Sequence, residues 1–278
     1  MPAKIIDGKN ISEKLLDNLK SKVKNLKQKP GLALVLVGNN PASEIYVNFK
    51  EMTCKEVGFY CERYNLDKDI GEMDLLNLVN NLNQKTNIHG ILVQLPLPKK
   101  IDEKLITNSI LPHKDVDGFT SLNLGRLFAG NPILEPATAR AVMKLIESTG
   151  INLESKNAVV VGRSNIVGKP VAMMLLENNA TVTICHSKTK NLAEYTKKAD
   201  VLVVAVGKPK LIIKEMVKPG AIVIDVGINR IYGNIVGDVD FENVKEVAGF
   251  ITPVPGGVGP MTIAMLMENT LKAMELAK

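Results

Sequence analysis

The hydrophobic positions of this chain fall into two alternating series of helix and strand patterns. Ile11, Leu15, Leu19, Val23 and Leu26 recur at helical spacing and predict an amphipathic helix ahead of the first strand. Leu32 to Gly38 (LALVLVG) is then a continuous aliphatic run, the pattern of a strand buried on both faces of a parallel sheet. A helix starting near Pro41, a strand over Tyr60 to Leu66, a helix over Met73 to Asn83 and a strand over Gly90 to Leu95 complete a βαβαβ series. Pro96, Pro98 and Pro112 bracket a stretch that ends in HKDVDG (His113 to Gly118) and reads as loop, where the first half of the chain ends.

A helix over Thr138 to Ser148 leads into the second series. Its strands are Ala158 to Gly162, Ala180 to Cys185, Ala199 to Gly207 and Gly220 to Gly227, with helical spacers between them. Met261 to Ala277 is again helical in pattern and fits either half. The expected fold class is therefore α/β, with two doubly wound domains.

Composition narrows the classes. A chain of 278 residues has room for one large or two ordinary domains, and 45% hydrophobic with 23% charged residues is ordinary for a globular protein. No apolar run approaches the roughly 20 residues of a membrane-spanning helix. MPAKIIDGKNISEKLL at the amino terminus has neither a signal-peptide apolar block nor an Arg-rich transit pattern, so a cytoplasmic protein is expected. Cys54, Cys61 and Cys185 are odd in number and without Cys-x-x-Cys spacing; they read as buried thiols rather than a disulfide framework or a zinc site. The net charge of +6 suits anionic small molecules, and with 4% aromatic residues and no aromatic–basic interleaving, nucleic-acid binding is not expected.

Two stretches carry candidate chemistry. In AVVVGRSNIVGKP, Gly162, Ser164 and Gly168 follow a strand and precede a helix expected near Ile166, with Ser164 where G-x-G-x-x-G has its second glycine. Such a turn presents backbone N–H groups and a helix N-terminus to a pyrophosphate, although it also serves as an ordinary strand-to-helix connection. The next strand ends in CHSKT, with Ser187 and Lys188 where an NAD-specific site carries an acid. Together with Arg163 these favour a 2′-phosphate, hence NADP over NAD.

The second stretch is ASEIYVNFKEM. Tyr46 and Lys50, four residues apart, share one face of a helix that starts at the carboxyl end of a parallel strand, where open α/β sheets gather ligands. Gln94 ends the strand GILVQL, and Asp115 and Asp117 lie in the loop beyond; all of them are expected at one crevice. Spacing alone favours a solvated role for Lys50, binding of loop backbone for Gln94 and shaping of the turn before Gly118 for Asp117. His89, His113 and His186 are scattered, so no metal is expected, and no nucleophile elbow, Walker loop or H-E-x-x-H is present.

Taken in order, ASEIYVNFK, GILVQLPLP, KDVDGF, VVVGRSNIVGKP, CHSKT, VAVGKP, IVIDVGIN and ITPVPGGVGPMT resemble the bifunctional methylenetetrahydrofolate dehydrogenase and methenyltetrahydrofolate cyclohydrolase family, often called FolD, over residues 42 to 262. The resemblance implies NADP-dependent oxidation of 5,10-methylenetetrahydrofolate and hydrolysis of the methenyl product to 10-formyltetrahydrofolate. It implies a catalytic and folate-binding domain over 1–120 plus about 261–278, a Rossmann-type NADP-binding domain over about 138–255, a cleft between them, and a homodimer. Lys50 resembles the family's catalytic lysine, Tyr46 its stacking and hydrogen-bonding partner, Gln94 the amide that tunes it, and Asp117 the carboxylate that holds the pterin. Val93, Leu95 and the loop Pro255, Gly256, Gly257, Val258 and Gly259 match substrate-lining positions; Thr138, Gly162, Arg163, Ser164, Ser187 and Ile228 match cofactor positions. In LEPATARAV, Ala137, Ala139 and Ala141 replace the cysteine, proline and glycine of a family segment, which excludes a thiol role there and implies a more helical hinge. A monofunctional dehydrogenase of the same family and a non-enzymatic dinucleotide sensor are the competing readings.

Overall fold

The structure, a computed structural model, describes residues 2–277. In chain order its elements are β1 (Lys4–Ile5), α1 (Gly8–Lys24), β2 (Gly31–Val37), α2 (Pro41–Glu56), β3 (Tyr60–Leu66), α3 (Glu72–Gln84), β4 (Gly90–Val93), α4 (Glu103–Ser109), α5 (Ser121–Phe128) and α6 (Ala137–Glu147). There follow β5 (Asn157–Val161), α7 (Gly168–Glu177), β6 (Thr181–Cys185), α8 (Leu192–Thr196), β7 (Val201–Val204), β8 (Ile222–Asp225), the hairpin β9 (Asn229–Ile231) and β10 (Asn234–Val236), α9 (Phe241–Val244), β11 (Phe250–Ile251) and α10 (Val258–Leu276). The chain divides into two compact units, one of Glu13–Ala137 with the chain from Ile263 onward, the other of the residues up to Ser12 with Thr138–Thr262.

The first unit is built on a parallel sheet in the order β3-β2-β4. All seven residues of β2 are buried, because helices cover both faces of this central strand. Ala33, Val35 and Val37 pack with Leu75, Val79 and Leu82 of α3 and Ile91 and Val93 of β4. The chain steps from β2 outward to β3 and returns on the other side for β4, so the strand order reverses between β2 and β4. The loop expected between Pro96 and Gly118 contains α4, which starts because the Asp102 carboxylate accepts from the N–H groups of Lys104 and Leu105.

In the second unit six parallel strands run β1-β11-β8-β7-β5-β6. Here the order reverses between β5 and β7. The short β1 pairs with β11, placing the first residues in this sheet rather than with the 1–120 region expected of them. Two residues carry too little periodicity to reveal this; the ladder partner decides it. Val159, Val161, Leu202, Val204 and Val223 form the core. Ala137, Ala139 and Ala141 lie buried in α6. Among the described residues no helix is long and apolar enough to cross a membrane. Cys54 and Cys185 are buried thiols, whereas Cys61, on the edge strand β3, is half-buried.

Candidate active site

In the first unit, α2 leaves the carboxyl end of β2. Asn40 caps it by accepting from the N–H groups of Ala42 and Ser43, and Pro41 occupies the first turn, where its missing N–H costs nothing. The helix buries Ser43, Val47, Lys50, Thr53 and Cys54. This inward face carries Lys50 to 9% exposure, and Tyr46, one turn earlier, is half-buried. The Lys50 Nζ donates to Gln94 Oε1 at 3.0 Å, and Gln94 Nε2 donates to the Leu95 carbonyl at 2.7 Å. That second bond fixes which end of the amide faces the lysine. Val93 is buried and Leu95 half-buried beside it. The pair therefore sits at the carboxyl ends of β2 and β4, the two strands flanking the reversal of order.

Desolvation holds the Lys50 ammonium below its usual range, while the Asp117 carboxylate pulls it back up. Asp117 moves the other way: burial raises it, the lysine charge lowers it and Asp115 raises it again. Both shifts point toward neutral partners, since each charge loses more in leaving water than the other returns.

Asp115, expected at the same crevice, has its carboxylate turned inward. It accepts from the N–H groups of Phe119 at 3.1 Å and Thr120 at 2.7 Å, and from Asn123 Nδ2 at 2.9 Å. These bonds bend the loop so that Asp117 stands at its apex. Gly118 has φ +72°, and a Cβ there would lie 2.5 Å from the Pro136 nitrogen, so only glycine fits. From α10, Asn269 donates to the carbonyls of Val116 and Glu135, both at 2.8 Å. Asn269 escapes a sequence reading because the main-chain atoms it bonds lie distant along the chain, and Asn123 because it bonds the Asp115 carboxylate and the Pro112 carbonyl with no motif to mark the pairing; the paired aspartates of DVD are the one local signal.

In the second unit, Gly162 opens the turn after β5 with φ +136°, and a Cβ there would meet the Ala205 carbonyl at 2.3 Å. Ser164 does more than replace a glycine. Its Oγ accepts from the N–H groups of Val167 and Gly168 and so ties the turn to the start of α7, whose first residue is Gly168 rather than the expected Ile166. Arg163, Ser164, Ser187 and Lys188 are exposed at the ends of β5 and β6, and Ile228 is 45% exposed beyond β8. Donors, a helix N-terminus and positive charge without a carboxylate at the end of β6 fit an anionic dinucleotide. Thr138, half-buried, lies in the first turn of α6. The Pro255–Gly259 segment belongs to this unit too, its Gly256 carbonyl accepting from the Lys9 N–H at 2.9 Å.

Comparison with known proteins agrees with both halves. Residues 6–117 match the family described as tetrahydrofolate dehydrogenase/cyclohydrolase, catalytic domain, and residues 136–278 its NAD(P)-binding domain. The bifunctional protein FolD of Acetivibrio thermocellus is 53% identical over 280 residues, covering 99% of this chain and 98% of that protein. The crystal structure of the bifunctional FolD from Campylobacter jejuni superposes with a TM-score of 0.96 at 50% identity, covering 99% of each chain. That of the Trypanosoma brucei dehydrogenase-cyclohydrolase, complexed with NADP cofactor and inhibitor, does so at 0.95 and 36%, covering 99% of this chain and 98% of that one. This chain belongs to the tetrahydrofolate dehydrogenase/cyclohydrolase family.

Proposed function

We infer that the protein oxidises 5,10-methylenetetrahydrofolate with NADP and hydrolyses the resulting methenyl compound to 10-formyltetrahydrofolate. The observation that carries the reading is a buried lysine, hydrogen-bonded to an oriented amide, at the strand-order reversal of the first unit. NADP, when bound, supplies the hydride acceptor. Arg163 and Ser187 offer charge and a hydroxyl to the 2′-phosphate, Thr138 and Ile228 line the dinucleotide, and Gly162 and Ser164 shape the turn that receives the pyrophosphate.

In the hydrolytic step water attacks the electrophilic amidinium carbon of the methenyl compound. Neutral Lys50 takes a proton from that water or from its tetrahedral adduct; the adduct then collapses to the formyl carbonyl, its bond to N5 breaks and N5 takes up the hydroxyl proton, and beside a cationic substrate the neutral amine is the favoured form. Gln94 accepts from Lys50 and so aims its nitrogen without adding charge. Tyr46 stacks on the pterin, Asp117 accepts from the pterin's N–H donors, and Val93 and Leu95 line the folate. By the family resemblance the protein works as a homodimer in the cytoplasm, so light scattering should return the mass of two chains.

A monofunctional dehydrogenase would use the same residues without hydrolysis, and Lys50→Met separates the two readings. The variant should lower methenyltetrahydrofolate hydrolysis by about 100-fold or more while moving the KM for NADP less than about twofold. Absorbance at the methenyl band follows formation and decay together. Hydrolysis at the parent rate would remove the lysine from the mechanism, and a higher kcat/KM with NAD than with NADP would overturn the roles of Arg163 and Ser187.

A further inference from the structure

Two buried carboxylates stand behind the dinucleotide edge of the second unit. Asp225 ends β8 at 3% exposure, and Asp238, after β10, is fully buried. Asp238 Oδ2 accepts from the N–H groups of Val206 at 2.7 Å and Gly207 at 2.9 Å. Its Oδ1 accepts from the Lys208 N–H at 2.8 Å and Asn229 Nδ2 at 2.9 Å. Four acceptor positions, the full complement of a carboxylate, are thus engaged. Asp225 in turn fixes the backbone of Asp238: its Oδ1 accepts from the N–H groups of Gly227 and Asp238, and its Oδ2 from that of Val239.

The loop after β7 lies at the strand-order reversal, and the loop after β8 is its neighbour in the sheet. Val206–Lys208 follows β7, and the preceding Ala205 carbonyl lies where a Cβ on Gly162 would be. Gly227 and Asn229 follow β8 and flank the exposed Ile228. A Cβ on Gly227 would lie 2.2 Å from Asp238 Cγ, so the glycine is what lets the turn close on the carboxylate. Three successive N–H groups converging on one anion form a nest that elsewhere binds phosphate. In this chain the nest is filled from within, which leaves the turn after β5 as the one that receives the pyrophosphate.

We propose that Asp238, backed by Asp225, is a positioning residue for the dinucleotide: it fixes the loops after β7 and β8 that border the cofactor without touching the cofactor itself. This rests on the dinucleotide reading of that edge. The test separates the two. NADP binding to the parent protein is first measured by calorimetry; no binding there would overturn the dinucleotide reading itself and the positioning role with it. Asp238→Asn cannot accept on both sides, leaving either Val206 and Gly207 or Lys208 without an acceptor. The expected result is a rise of about tenfold in the KM for NADP, with methenyltetrahydrofolate hydrolysis assayed without cofactor held within about twofold. Asn229→Ala removes one donor and keeps the carboxylate, so it serves if the first variant does not fold; about a threefold rise is expected. A parent that binds NADP alongside folded variants with unchanged KM, or with both activities reduced in parallel, would overturn the positioning role.

Discussion

Lys50 differs from other lysines through its surroundings. On spacing alone it is one charged residue on a helix; α2 turns its face inward and Gln94 gives the nitrogen a fixed acceptor. Because burial lowers its pKa, the amine loses its proton at a pH below the usual lysine range near 10.4. The hydrolytic rate should therefore rise with pH through that lowered value and then level off. Gln94→Ala removes an acceptor that favours the ammonium form but also frees the nitrogen from its aim, so kcat should fall about tenfold while the rising limb moves to lower pH. A pH profile of methenyl hydrolysis for parent and variant checks both. A limb centred on the ordinary lysine pKa would contradict the neutral-amine mechanism.

At the scale of elements, long apolar runs were legible and short polar pieces were not. The run Leu32–Gly38 corresponds to β2, a buried parallel strand written as continuous apolar residues, and Tyr60–Leu66 to β3, an edge strand written as β-rich sequence between turns. α4 and α5 are short, and what starts them is a cap: Asp102 for one and Thr120 for the other. β1 and β11 have two residues each and exist because neighbouring strands supply ladder partners. The candidate site divides the same way. Lys50 lies within the legible α2 and Gln94 just after the legible β4, whereas the loop carrying Asp117 is shaped by Asp115, Asn123 and Asn269, which bond main-chain atoms and, for Asp115 and Asn123, each other. Asp115→Ala leaves the Phe119 and Thr120 N–H groups and the Asn123 amide without their acceptor in a dry site. It should cost about 3 kcal/mol and raise the KM for folate more than that for NADP. Urea unfolding with steady-state kinetics reads both; an unchanged folate KM would show that the loop keeps its shape without the carboxylate.

For the whole molecule the burial of carboxylates makes stability depend on pH in an unusual direction. Most paired surface acids, such as Glu62 at about 2 beside Lys85, stabilise the fold above their unfolded pKa and lose that contribution as pH falls. Asp225 is opposite. Burial, outweighing the N–H groups of Val239, Asp238 and Gly227, raises it to about 6. Between its unfolded value near 3.9 and that figure the folded protein holds a proton the unfolded chain has released, so stability falls as pH rises across this window and is constant above it. A difference of about 2 units corresponds to roughly 3 kcal/mol. Asp225→Asn cannot titrate, so its unfolding free energy, compared with the parent at intervals from pH 4 to 7, should gain about 3 kcal/mol relative to the parent over that span. The Asp225 carboxyl carbon, followed by NMR, should titrate near 6 in the folded parent. A pH-independent difference between the two proteins would mean that the three N–H donors offset or outweigh the desolvation at this buried carboxylate.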